Sequence, residues 1–161
     1  MNFPRANCFI LFDAVMLFLT RSLADQIRKH AAEEYPSECC GLLVGKAVPQ
    51  AGVVVCEAHP LPNLCVSSRR SRYFGDPDVQ LRLIFDARSR SLDMVGSYHS
   101  HPDIPARPSA FDVENAWPGY VYLIVSVYGG AAEDMQAWKM NTREEGFEQI
   151  DIVWQDADDR P

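Results

Sequence analysis

Met94-Val95-Gly96-Ser97-Tyr98-His99-Ser100-His101-Pro102 runs into a turn rich in proline (Ile104, Pro105, Arg107, Pro108) and then into Ser109-Ala110-Phe111-Asp112. Side chains in a strand alternate with period two, so His99 and His101 on an extended segment point to one side. Pro102 stops that strand, and a short helix can begin at Ser109 with Asp112 facing back towards the histidines. Two imidazoles and a carboxylate within fourteen residues make a three-ligand set, the arrangement that leaves zinc a fourth position for water. A plainer account of the same residues stands beside it. His-x-His arises by chance in strands, and Ser109-x-x-Asp112 is also a helix capping box. The two accounts are compatible, because a serine can cap and still present its hydroxyl.

Working outward, Leu92 to Tyr98 reads as the strand that delivers the histidines, and Asp76-Pro77 opens a helix to about Ser89 before it, with Asp as cap and Pro at the first helical position. Upstream, residues 14–19 read as a first strand. Leu23, Ile27 and Ala31 recur at helical spacing, with Thr20 or Ser22 as cap, so Thr20 to Glu34 is an amphipathic helix. Tyr35-Pro36-Ser37-Glu38 breaks it. Cys40 to Gly45 and Gly52 to Cys56 form a strand pair around a turn at Lys46 to Gln50, and His59 to Arg72, with Pro60, Pro62 and Asn63, reads as a loop. Downstream, Pro118-Gly119 ends the short helix. Tyr120 to Val127 is nearly continuous in apolar and β-branched residues, the pattern of a central strand buried on both faces. Met135 to Met140 and Phe147 to Trp154 alternate as two more strands. The order strand, helix, strand pair, helix, strand, short helix, three strands predicts an α/β domain over residues 14–155: one curved mixed sheet flanked by helices. Residues 1–13 read as a loose extension and 156–161 as a frayed acidic tail.

A chain of 161 residues supports one domain, and 47% hydrophobic with 23% charged residues is ordinary globular composition. A net charge of −7 argues against nucleic acid as partner. The apolar stretch from Cys8 to Leu19 is interrupted by Asp13, has no small-residue cleavage site after it and is too short to span a bilayer, so no membrane association is expected. Five cysteines without C-x-x-C spacing suggest neither a disulfide framework nor a cysteine-zinc site, which fits a reducing, cytoplasmic setting.

A metal-activated water attacking an amide needs a group to take its proton and hand one to the leaving amine. Glu38, in a loop just before a buried strand, is the candidate, with a solvated loop glutamate as the plainer alternative. Glu38, then His99-Ser100-His101-Pro102, six residues, Ser109, two residues and Asp112 resembles in full the motif of the JAMM (MPN+) zinc metalloproteases. Pro36 to Gly45, Asn63, Asp76-Pro77 and Trp117-Pro118 with Tyr120 to Val127 are similar to the small prokaryotic members. The resemblance spans residues 15 to 154 and implies the JAMM/MPN, cytidine-deaminase-like architecture. It implies one zinc per chain on His99, His101 and Asp112, Glu38 as general acid and base, and Ser109 as donor to the oxyanion.

The same resemblance implies a scissile bond after the C-terminal Gly-Gly of a ubiquitin-like protein. Only Val113 to Gly119 separates Asp112 from the next strand, so the insertions by which the eukaryotic deubiquitinating relatives hold ubiquitin are absent there. The expected substrate is therefore a ubiquitin-like sulfur carrier trimmed beyond Gly-Gly, as in the small prokaryotic relatives. The alternatives are an isopeptidase acting on modified lysines and a metal-free scaffold of the same fold. A zinc nucleobase deaminase is disfavoured because P-C-x-x-C is missing, and H-E-x-x-H is missing too.

Overall fold

The computed structural model describes residues 16–66, 68–141 and 146–156. Within them the elements follow the expected order: β1 (Met16–Thr20), α1 (Arg21–Glu34), β2 (Cys40–Val48), β3 (Gly52–Leu61), α2 (Pro77–Ser89), β4 (Asp93–Pro102), α3 (Ala110–Asn115), β5 (Val121–Tyr128), β6 (Ala131–Asn141) and β7 (Gly146–Gln155). The expected extension at 1–13, positions 14 and 15 of the first strand, and 157–161 of the acidic tail lie outside the described residues. No described helix is long and apolar enough to cross a membrane.

The expected curved mixed sheet is present, and one point is corrected: its curvature runs on to closure, the strands forming a barrel in the order β1-β3-β2-β4-β5-β6-β7. The cause is β1, which pairs in parallel with β3 through Met16–Phe18 and with β7 through Met16–Thr20. Both partners lie far along the chain, and hydrophobic patterning carries no information about such pairings. The inward-facing side chains, among them Leu17, Leu19, Leu43, Val53, Val55, Leu123, Val125 and Ala137, enclose one face of α1. Thr20 caps that helix by accepting from the Leu23 N–H at 3.2 Å, and Ala24, Ile27 and Ala31 are wholly buried. Burying an isoleucine such as Ile27 contributes roughly 1.5–3 kcal/mol by area. One helix thus shares its core with β1, β3, β4, β5 and β6.

A second correction concerns the segment expected to be a loop from His59. β3 continues through His59 and Pro60 to Leu61, paired with β2. Proline is tolerated because β1 pairs with β3 only as far as Val54, so Pro60 needs no donor on that flank. The neighbouring Ala58 carbonyl is satisfied by the Gln26 carboxamide at 2.8 Å.

β4 is held between β2, antiparallel, and β5, parallel, with His99 beside Cys40 on one side and Ile124 on the other. β5 is buried from Val121 to Val127, as its run of apolar residues predicts. Gly41 faces Tyr98, and a Cβ there would lie 2.2 Å from the tyrosine ring and 2.5 Å from the His59 carbonyl oxygen. Only glycine lets the ring cross at that point, where its hydroxyl meets His30 Nδ1 at 2.9 Å. The outer face of β2 carries Cys40 and Leu42, which pack with Leu61 of β3 and are covered by Tyr73, Val79, Leu83 and Met94. This layer, roofed by α2, is the one into which the histidines of β4 project.

α2 starts where Asp76 accepts from the Asp78 and Val79 N–H groups. At its far end it is tied to β3: Arg90 spans Glu57 with both terminal nitrogens, Nη2 at 3.0 Å, and His59 Nε2 lies 2.7 Å from the same carboxylate. Arg90 chiefly, opposed by burial and assisted by His59, brings the Glu57 carboxyl down to about 2. A carboxyl depressed in the fold stabilises it fully above the unfolded pKa, about 4.5, and loses that contribution as pH falls towards 2. Glu57→Gln is accordingly expected to lower Tm by a few degrees at pH 7 and by only about a quarter as much at pH 2.5, read by thermal unfolding at both values.

Candidate metal centre and active site

Three side chains from two elements converge. His99 Nε2 and His101 Nε2 are 3.1 Å apart at the end of β4, Asp112 Oδ1 is 3.2 Å from His99 Nε2, and Asp112 Oδ2 is 3.5 Å from His101 Nε2. All three residues are buried. One ligand atom from each lies within 4.8 Å of the others, a group that could hold a metal ion. The edge of a tetrahedron of nitrogen and oxygen ligands around zinc is about 3.3 Å, given metal–ligand bonds of about 2.0–2.1 Å. The two separations taken at His99 Nε2, 3.1 Å to His101 Nε2 and 3.2 Å to Asp112 Oδ1, lie close to that value, so the donor types and their spacing suit a small tetrahedral dication.

The surroundings set the protons. Pro105 offers only a carbonyl to His101 Nδ1, at 3.0 Å, so Nδ1 carries the hydrogen and the Nε2 lone pair is left for a ligand. His99 Nδ1 is buried and has no hydrogen-bond partner among the described residues. Its ring is oriented instead by Tyr73, stacked at 4.5 Å and 25°. Ser109 secures the carboxylate: its N–H and its Oγ–H donate to Asp112 Oδ2 at 2.7 and 2.6 Å, while the Asp112 N–H donates to Oγ at 3.2 Å. The capping box expected at Ser109 is present, and it leaves Oδ1 facing His99.

Charge reinforces the geometry. Burial raises the Asp112 carboxyl, but its close contacts with His101 and His99 and the hydrogen bond from Ser109 outweigh it and hold the group well below the usual carboxylate range. Burial drives His99 down, towards the neutral form a metal ligand requires. At His101 the same burial is outweighed by Asp112 and the Pro105 carbonyl, and the ring is raised.

Glu38 is buried beside this group. Burial chiefly, opposed by His101 and assisted by Asp112, pushes its carboxyl up to about 8. A carboxyl in that range exchanges protons near neutrality, as a general acid and base must. Its main chain is fixed from two directions. The Cys39 N–H donates to Ser100 Oγ at 2.8 Å and the Ser100 N–H to the Cys39 carbonyl at 3.2 Å, fastening the segment to the histidine strand. From the other side the Glu38 N–H donates to the Arg69 carbonyl at 2.6 Å, and the Asn63 side chain donates to the Glu38 carbonyl at 2.9 Å. Cys39 and Cys40 are buried thiols, both pushed up to about 12 by burial and so unreactive near neutral pH.

Five residues singled out in the sequence are placed as follows. His99, His101 and Asp112 meet, Glu38 is electrostatically coupled to His101 and Asp112, and the Ser109 hydroxyl is engaged by Asp112. Sequence reasoning missed Ser100 as a fastener, Tyr73 as the wall behind His99, and the Pro105 carbonyl. Ser100 was legible in principle, since a small polar residue between two ligand histidines points to the opposite face of the strand.

Residues 20–141 match the family described as prokaryotic homologs of the JAB domain. The chain is 40% identical over 109 residues to a desampylase of Haloferax volcanii, covering 67% of this chain and 76% of that relative. It is 28% identical over 125 residues, 78% of this chain and 80% of the other, to a probable TtuB-protein conjugate cleaving protease of Thermus thermophilus. The solution structure of a protein from Desulfitobacterium hafniense superposes with a TM-score of 0.75 at 31% identity, over 88% of this chain and 94% of that one. With the metal-site geometry set in a matching fold, the chain belongs to the prokaryotic JAB-domain family of JAMM-type hydrolytic enzymes.

Proposed function

We propose that the protein is a zinc-dependent hydrolase, with one zinc per chain on His99, His101 and Asp112, that cleaves the bond following a C-terminal Gly-Gly of a ubiquitin-like protein. The observation that carries this is the convergence of two imidazoles and a carboxylate, one ligand atom from each within 4.8 Å of the others, beside a buried glutamate. Zinc in that site supplies Lewis-acid activation, bringing the pKa of water from 15.7 to about 7. Glu38 accepts the proton of the attacking water at its carboxylate and delivers it to the nitrogen of the leaving amine. Glu38 is 4% exposed, which limits the access of bulk water to that proton. The Ser109 hydroxyl orients Asp112 in the resting site. Turned towards the developing negative charge of the carbonyl oxygen, the same O–H donates there, a contact worth about 3 kcal/mol when well aimed.

Trimming of a sulfur carrier beyond Gly-Gly and release of a modifier from lysine use the same chemistry. A relative named for cleaving protein conjugates favours the isopeptide reaction, which stands beside carrier trimming as a second reading. The catalytic unit is assigned to residues 14–155 and its setting to the cytoplasm. The test pairs two substrates, a ubiquitin-like protein extended by a peptide after Gly-Gly and the same protein joined through Gly-Gly to a lysine side chain. Hydrolysis of at least one is expected, with one zinc per chain by atomic emission, abolished by a chelator and restored by zinc. A protein that purifies without zinc, takes up none and cuts neither substrate is the metal-free scaffold instead.

A further inference from the structure

We propose that Asn63 is a positioning residue for catalysis: its carboxamide sets the main chain of Glu38 and so aims the carboxylate at the metal site. The inference rests on the function proposed above for Glu38. Asn63 uses every hydrogen-bonding capacity of an amide. Nδ2 donates to the Glu38 carbonyl at 2.9 Å and to the Arg72 carbonyl at 3.2 Å, while Oδ1 accepts from the Cys65 N–H at 3.0 Å and the Phe74 N–H at 3.1 Å. Two backbone carbonyls on one side and two backbone N–H groups on the other permit a single orientation, since a flipped amide would face donor with donor and acceptor with acceptor.

The partners explain why this matters. Arg72 and Phe74 flank Tyr73, whose ring stacks on His99. Asn63 is bridged to Gly75 and the Leu64 N–H donates to the Phe74 carbonyl at 2.8 Å, so the segment is braced at its neck. One side chain therefore joins the backbone of the proposed acid and base to the backbone around the ring that backs a metal ligand. Shape alone does not substitute. Aspartate has the same outline and keeps both acceptor contacts, but it replaces two donors with an oxygen facing two carbonyl oxygens.

The experiment compares Asn63→Asp with the zinc-loaded wild type. Expected are a fall in kcat of about 10–100-fold, the range seen when a residue behind a catalytic group is lost, KM within about twofold, and full zinc occupancy. Amide hydrogen exchange, followed by NMR on the chelator-treated chain, should quicken at Glu38 by at least about tenfold and stay unchanged at Leu123 and Val125. Ile150→Val, which trims the barrel core far from the site, serves as a control for general destabilisation and should leave kcat unchanged. A kcat within twofold of wild type, unchanged Glu38 exchange, or a kcat loss that tracks zinc loss overturns the proposal. If the wild type cuts no Gly-Gly substrate, the function above fails, while the exchange measurement still decides whether Asn63 sets the Glu38 backbone. Should Asn63→Asp prove insoluble, Asn63→Ser removes the carboxamide without adding charge and carries the same readouts.

Discussion

Glu38→Gln keeps one zinc per chain and loses turnover by about 10²–10⁴-fold, the usual contribution of a positioned general acid and base. The amide preserves the outline of the carboxyl but has no site at which to hold the transferred proton. The backbone anchors at Ser100, Asn63 and Arg69 engage residues 38 and 39 through the main chain and are indifferent to the substitution. A second signature follows from the raised carboxyl, about 8 in the fold. An acid raised by burial destabilises the fold progressively as pH rises from its unfolded value, about 4.5, to its folded one. Chelator-treated Glu38→Gln should therefore match the wild type in Tm near pH 4 and exceed it near pH 8. Zinc content, turnover and Tm are three separate readouts, and full activity in the variant would refute the assigned mechanism.

His101→Ala loses both metal and activity. It removes one of three ligands, breaks the Nδ1–Pro105 contact that holds the turn, and deprives Asp112 of a neighbour that lowers its carboxyl. Zinc per chain should fall below the level of detection, hydrolysis should fall to background, and the rise in Tm that zinc gives the wild type should vanish. Zinc binding by the wild type should itself weaken as pH falls, because a proton competes for each imidazole. Retention of one tightly held zinc by His101→Ala would move the metal site elsewhere. The pair of variants separates proton transfer from metal binding, which a single inactive variant would not.

The elements and their order were readable because strands such as β5 and the face of α1 carry strong periodicity, and because Asp76, Ser109 and Thr20 are cap residues with a local mechanism. The ligand set was readable because its members sit on one strand end and the following helix start. What escaped depends on contacts between distant residues. The parallel pairing of β1 with both β3 and β7 leaves no mark in the five residues of β1. Pro60 argued for a loop, and only the missing flank partner beyond Val54 shows why a strand accepts it. Ser109 was expected as an oxyanion donor from family likeness, whereas its resting hydroxyl faces Asp112. That orientation depends on the three-dimensional path of α3, beyond what spacing alone conveys.

The double pairing of β1 also imposes an order in time. During synthesis β1 emerges early, with Leu17 and Leu19 on a strand whose second partner begins only at Gly146. At ordinary translation rates of about 5–20 residues per second that partner follows after roughly 6–25 s. Until then β1 and β6 each present an unpaired edge, the kind of surface that recruits other nascent chains. A chain stalled before β7 should be more prone to aggregate than its composition suggests, and the final strand acts as the latch that withdraws both edges at once.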